Sequence, residues 1–296
     1  MPQEIRGLLL GGNHVRLWHF EQNCFVGGDE REESHNVLLQ HGLSAQTDTD
    51  TLSAHTLWEI EHADTSNGGP VEFGAEVRLR HVTSGKFLGL AAAVCDGDEY
   101  GVLRLSLVTA RESGDRAVEF TVRPTRVADA GCVNFRAGFR LQHVVTGKYV
   151  CALVVKSASA RTKDDERVTT LAARDAESIP DVLCVVQTSV AEVRETLFVA
   201  SCLPRLSVFV STFGEGRQAS TDDCQVAAET CVELSRWVVD TDGVPIARRQ
   251  RLLREKGLLR CVVDVLTAIF RPIGPFDIAL VRALPLVFTK HVFEWG

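Results

Sequence analysis

Val15-Arg16-Leu17-Trp18-His19 returns as Val77-Arg78-Leu79-Arg80-His81 and again as Phe139-Arg140-Leu141-Gln142-His143, each copy 62 residues after the last. Two further registers keep the same spacing. Cys24-Phe25-Val26 aligns with Lys86-Phe87-Leu88 and Lys148-Tyr149-Val150, and Trp58-Glu59-Ile60 aligns with Phe120-Thr121-Val122 and Val182-Leu183-Cys184. Self-similarity at one fixed period marks a repeat architecture, so three equivalent units are expected over residues 7–188.

Within a unit the pattern is that of β structure. Val77, Leu79 and His81 alternate with Arg78 and Arg80, as in a strand with one buried face. The strand runs into Thr83-Ser84-Gly85-Lys86 in the second unit and Val145-Thr146-Gly147-Lys148 in the third, where glycine supplies the positive φ of a tight hairpin turn. Later runs, Val102 to Leu107 and Val118 to Val122, bring the expectation to about four strands per unit, and three such units close into a barrel without an open edge, a β-trefoil. The repeated His19, His81 and His143 fall on three separate hairpins. Each is therefore expected to hydrogen-bond its own turn rather than to join a shared metal site.

After Gln187 the period ends and helical spacing begins. Val193, Leu197 and Ala200 mark a helix over Ala191 to Leu203, and Val226, Thr230, Leu234 and Trp237 mark one over Asp222 to Val239. Residues 214–220 between them form a polar, glycine-bearing loop. Pro245 is placed to open a third helix running through Arg248-Arg249-Gln250-Arg251-Leu252-Leu253-Arg254-Glu255-Lys256 to a stop at Gly257, and Leu258 to Phe270 begins a fourth. Helices joined by short loops, each with an apolar stripe, predict stacked α-solenoid pairs over 189–296, fewer than a free-standing array wants, so a truncated array is expected.

With 45% hydrophobic and 24% charged residues the chain has the composition of a folded globular protein. A net charge of −7 argues against a general nucleic-acid binder, so any phosphate site must be local. The nine cysteines stand singly, with no Cys-x-x-Cys pair, which predicts neither zinc nor a disulfide framework. The N-terminus shows no signal-peptide pattern and no apolar run is long enough to span a bilayer, so no direct membrane insertion is expected. Acidic runs such as Asp29-Glu30-Arg31-Glu32-Glu33 read as solvated loops, and there is no nucleophile elbow, P-loop or dinucleotide fingerprint; no enzymatic activity, metal or cofactor is expected.

Gly11-Gly12-Asn13-His14-Val15-Arg16-Leu17-Trp18-His19, with Leu57-Trp58-Glu59-Ile60-Glu61 after it, resembles the opening of the ligand-binding trefoil of inositol trisphosphate receptors. His81-Val82-Thr83-Ser84-Gly85-Lys86-Phe87-Leu88 and His143-Val144-Val145-Thr146-Gly147-Lys148-Tyr149-Val150 resemble the MIR repeats of those receptors, of ryanodine receptors and of protein O-mannosyltransferases. Ala191-Glu192-Val193-Arg194-Glu195 and Arg249 to Leu259 resemble the RIH helical domain that follows the trefoil in the channel families. The resemblance implies a multidomain chain, all-β then all-α: a MIR β-trefoil over 7–188 followed by the start of an armadillo-like helical domain over 189–296.

It further implies that inositol trisphosphate, or a related polyphosphate, sits in a cleft between the two, its phosphates held by arginines and lysines. On the family motif the phosphate-binding positions fall on Arg251 and Arg254, with Arg248 next to the third position, which is Ala247 here. The trefoil loop at the cleft, where ligand-binding members carry Arg-Thr-Thr-Gly-Arg, reads Gln40-His41-Gly42-Leu43-Ser44, without either arginine. The implied partners are inositol trisphosphate and the other domains or subunits of a calcium-release channel, at the cytoplasmic face of the endoplasmic reticulum for a full channel and in the cytosol for this piece. The competing reading is a ryanodine receptor-like interaction module that binds no such ligand. A luminal MIR module would call for a signal peptide and no RIH-like helices.

Overall fold

Leu9, Val71 and Val133 stand on the same 62-residue period, and the backbone joins them in a ring. The Leu9 amide donates to the Val133 carbonyl, Val71 to Leu9 and Val133 to Val71, each at 2.8 Å, and all three side chains are buried. The computed structural model describes residues 7–28, 37–40, 53–66, 68–90, 103–109, 115–126, 129–156, 167–175, 181–214 and 220–270. The chain divides into two compact units at Val190 and Ala191.

The first unit holds twelve strands in three sets of four: β1 Asn13–His19, β2 Cys24–Gly28, β3 Val37–Gln40, β4 Leu57–His62, β5 Glu76–His81, β6 Phe87–Leu90, β7 Leu103–Val108, β8 Glu119–Pro124, β9 Gly138–His143, β10 Tyr149–Lys156, β11 Arg167–Arg174 and β12 Leu183–Gln187. The first and fourth strands of each set pair antiparallel in a closed cycle, β1 with β4, β4 with β5, β5 with β8, β8 with β9, β9 with β12 and β12 with β1. The middle strands form hairpins β2–β3, β6–β7 and β10–β11, and β11 pairs with both β3 and β7. This is a β-trefoil-like layout, in which closure removes the barrel's edges.

The alternation of apolar residues explains why these strands close with one face inward. Val15 and Leu17, Val77 and Leu79, and Phe139 and Leu141 point into one buried cluster with Trp58, Phe120 and Leu183. Trp58 is fully buried, and its indole N–H donates to the Val26 carbonyl at 2.9 Å, so the largest core side chain leaves no polar atom stranded. Each first hairpin turns through a left-handed residue: Gly85 at φ 72°, Gly147 at φ 68°, and in the first set Asn23 at φ 51°, since asparagine tolerates this region better than most residues.

One register differs from the sequence alignment. Trp58 faces His81 and Phe120 faces His143, but His19 faces Leu183, not Val182. The third set is therefore one residue longer before its last strand. A slip of one residue exchanges the faces of a strand, and accordingly Leu183 is buried where Val182 is not.

In the second unit four helices are described: α1 Val190–Gly214, α2 Thr221–Trp237, α3 Ala247–Glu255 and α4 Leu258–Phe270. α1 continues eleven residues beyond the expected end at Leu203, through Pro204. Proline cannot donate to Ala200, and the nearby hydroxyls bond other carbonyls, Ser201 to Phe198 and Ser207 to Pro204 among them, yet the helix runs on through it. α2 starts with a capping box, Ser220 Oγ accepting from the Asp223 amide and the Asp223 carboxylate accepting from the Ser220 amide. Pro245 does not open α3. It lies in an isolated bridge with Val239, and extended Ile246 caps the helix that begins at Ala247. Gly257, at φ 70°, ends it as expected.

Candidate functional site

The expected phosphate-binding residues lie on α3, a nine-residue helix with cations at Arg248, Arg249, Arg251 and Arg254. Arg248, Arg251 and Arg254 follow at steps of three and so lie on one stripe of the helix. The structure already couples several of them to protein groups. Glu195, on the second turn of α1 and nearly buried, accepts a hydrogen bond from Arg249 Nε on one carboxylate oxygen at 2.8 Å, while Arg248 Nη2 lies 2.7 Å from the other in an ion pair without hydrogen-bond alignment. Arg249 also donates to the Trp237 carbonyl at 2.6 Å and lies over the Trp237 ring at 5.1 Å. Arg251 Nε is 3.7 Å from Glu255, a loose pair one turn along the same helix. Glu195, Arg249 and Trp237 thus tie α1, α2 and α3 together, while the Arg248 and Arg251 side chains keep 25% and 30% exposure and can reach solvent.

Sequence reasoning singled out the arginines but missed their counter-ion. The apolar spacing gave no signal for it: of the stripe Val193, Leu197 and Ala200 none is buried and Leu197 is exposed, while the buried face of α1 carries Glu195, Thr196, Val199 and Cys202. Arg249 was not singled out as a site residue, and the geometry gives it a structural role.

Of the trefoil-loop residues, Gln40 closes β3, paired across to Phe25. His41 and Ser44 lie outside the described residues.

The three repeated histidines each serve their own turn. His81 Nδ1 meets Ser84 Oγ at 2.9 Å, His143 Nδ1 meets Thr146 Oγ1 at 3.0 Å, and the Gln22 amide donates to His19 Nδ1 at 3.3 Å. The other ring nitrogen separates them. In the second and third sets Nε2 bonds a backbone carbonyl, His55 at 2.8 Å and Ala117 at 3.1 Å. In the first, beside the one-residue register change, the Asp181 carboxylate takes that place at 3.0 Å. Burial pushes the His143 imidazole down from its usual range, with the Ala117 carbonyl and the Glu119 charge opposing.

Asp181 and Glu21 bring ligand atoms within 4.8 Å of each other and of His19, the spacing of a possible cation site. Their donors are internal, however. Asp181 accepts from the Ala152 amide at 2.5 Å as well as from His19, and both Glu21 carboxylate oxygens lie 3.0 Å from the Val182 amide. Burial would raise the Asp181 carboxyl, but the hydrogen bonds from His19 and Ala152, with the charges of His19 and Arg174, outweigh it and hold the group below the usual carboxylate range. The arrangement ties the first hairpin to the residues just before the last strand.

Solved structures similar to this chain include the following two. One is an SDF2-like protein from Arabidopsis thaliana, 13% identical, matching 60% of this chain and 94% of that one with a TM-score of 0.48. The other, from Caenorhabditis elegans, is a protein with unknown function, 15% identical, matching 62% of this chain and 97% of that one with a TM-score of 0.45. No helix among the described residues is long and apolar enough to cross a membrane. The family model for the MIR domain matches residues 7–95, so the first set of strands and the opening of the second carry a MIR domain.

Proposed function

We propose that this chain is a ligand-sensing module that takes inositol trisphosphate or a related polyphosphate on the arginines of α3, as the regulatory region of an inositol trisphosphate-gated calcium-release channel, with no pore of its own. The supporting observation is the stripe Arg248, Arg251 and Arg254 on one short helix, with partly exposed guanidinium groups at Arg248 and Arg251. A small polyanion needs clustered cations, and guanidinium forks engage phosphate oxygens bidentately. The MIR domain is in keeping with a binding or protein-interaction module. On this reading α1 to α4 open an armadillo-like array, the natural partners are other domains or subunits of the channel, and the module works at the cytoplasmic face of a calcium-store membrane.

The second reading, an interaction module without this ligand, draws on Glu195, which engages Arg248 and Arg249 internally, and on a 40–44 loop without arginine. Calorimetric titration of the chain with inositol trisphosphate, beside an Arg251→Ala, Arg254→Ala double variant, decides between them. Salt-sensitive binding lost in the double variant supports the ligand sensor. No heat at millimolar ligand refutes it and favours the interaction module.

A further inference from the structure

We infer that Glu195 is a built-in competitor for the cations of α3, sharing Arg248 with the incoming ligand and so setting both the affinity for polyphosphates and the discrimination against singly charged anions; the inference rests on the polyphosphate reading above.

The geometry distinguishes the two arginines on this carboxylate. Arg249 binds Glu195 at 2.8 Å, the Trp237 carbonyl at 2.6 Å and the Trp237 ring face at 5.1 Å, so moving it would strand a carbonyl and unstack a ring along with the carboxylate. Arg248 reaches the other oxygen of Glu195 from a quarter-exposed side chain on the stripe that carries Arg251 and Arg254. If Arg248 swings to a ligand, Glu195 keeps Arg249 as its counter-ion, and the nearly buried carboxylate is never left without a positive partner. Exchange at Arg248 thus leaves the Glu195 charge with Arg249 and the Trp237 carbonyl with its donor, whereas moving Arg249 breaks its bond to that carbonyl. If Arg249 moved instead, both the Trp237 carbonyl and its hold on Glu195 would be lost.

Competition favours high charge. Glu195 is tethered in place, so it presents its single charge to Arg248 at an effective concentration that a free monoanion must overcome. A ligand with several phosphates engages Arg251 and Arg254 at the same time and needs Arg248 only as an additional contact. The same carboxylate therefore weakens all anions at Arg248 and weakens single phosphates most in proportion.

The test titrates the full chain and Glu195→Gln with inositol 1,4,5-trisphosphate and, separately, with an inositol monophosphate, using Glu233→Gln as a control that removes one charge from the solvent-facing pair with Arg205. Glu195→Gln is expected to tighten trisphosphate binding about tenfold, the scale of one close charge pair, and to tighten the monophosphate by a larger factor; equal tightening of the two refutes the discrimination. Glu233→Gln is expected to change either by less than about twofold, as for a screened surface charge. Binding by the wild type that Glu195→Gln leaves unchanged or weakens overturns the inference and leaves the polyphosphate reading standing, as does equal tightening in the control. Absence of binding by every form overturns both. Because the glutamine variant can loosen α1 against α3, the side-chain Nε–H resonances of the wild type are followed as well: trisphosphate should shift Arg248 strongly and Arg249 little, and the reverse order refutes the exchange.

Discussion

Replacing Asp181 with asparagine tests the clasp between the first hairpin and the last strand. The carboxylate accepts from the Ala152 amide at 2.5 Å and from His19 Nε2 at 3.0 Å, and its side chain is 20% exposed. Both donors reach the same oxygen, Oδ2, so asparagine can keep an amide oxygen there for both but loses the charge that strengthens them. A hydrogen bond to a charged group contributes about 1.5–3 kcal/mol and a neutral one about 1. For a group with one-fifth of its surface in water, the net cost at pH 7 is expected at about 1–2 kcal/mol after discounting for solvent screening.

The pH dependence has a definite sign. The carboxyl is held below its ordinary value in the folded protein, so its contribution is complete above the unfolded value, about 3.9, and disappears as pH falls through the lower folded value. Urea unfolding of the wild type and Asp181→Asn, followed at pH 7 and again near pH 3, should therefore show a stability gap that narrows in acid. A gap of the same size at both pH values would mean that the carboxylate's charge is irrelevant, and the electrostatic reading of the clasp would be wrong.

Arg136 holds a left-handed conformation, φ 66°, at the position where the first and second sets have Gly12 and Gly74, so Arg136→Gly should stabilise the first unit by up to about 1 kcal/mol in thermal or urea melts. Trp58→Phe should cost about 2–3 kcal/mol, since it both shrinks a fully buried side chain and leaves the Val26 carbonyl without its donor; a loss below 1 kcal/mol would show that water replaces the indole. At Gly89 an added methyl would meet Val108 at 2.6 Å, Val118 at 3.0 Å and the Ala117 carbonyl at 3.1 Å, so Gly89→Ala should destabilise by about 1–3 kcal/mol without changing the ligand titration. Burial pushes the Cys231 thiol to about 12, helped by the nearby Cys261 and Cys202 thiols, so iodoacetamide at neutral pH should modify it only as the helical unit opens, with the rate following denaturant concentration.

The three sets of strands were legible because the first strand of each set places an apolar pair on the core face, Val15 and Leu17, Val77 and Leu79, Phe139 and Leu141, at one spacing. The register at Leu183 was not, because a single extra residue before the last strand shifts the facing residue without disturbing the apolar pattern around it, and Val182 and Leu183 are both apolar. The ring of Leu9, Val71 and Val133 also went unread: single aliphatic residues at the right spacing look ordinary until the backbone joins them. In the helical unit, α3 and its arginines were visible from the charge run and Gly257. Glu195 was not, since a helix's outward and inward acids look alike until a neighbour closes over one of them. The reading that ended α1 at Leu203 followed the stripe Val193, Leu197 and Ala200, whereas the helix continues on its buried residues Cys202, Leu206 and Phe209.

The pairing of β1 with β12 gives the first unit a particular history on the ribosome. The strand that begins the barrel pairs with β2, β4 and β12, and finds the last of these only after Gln187 has been made, while the Leu9 amide waits for the Val133 carbonyl. At roughly 5–20 residues per second, the first strand would spend on the order of ten seconds or more with an unsatisfied edge. A nascent chain in that state resembles an open sheet, not a stack of independent repeats, and is a natural client for a chaperone that covers strand edges. A released chain that ends before β12 should therefore be aggregation-prone, whereas a released chain that ends at Thr188 should yield a first unit able to close.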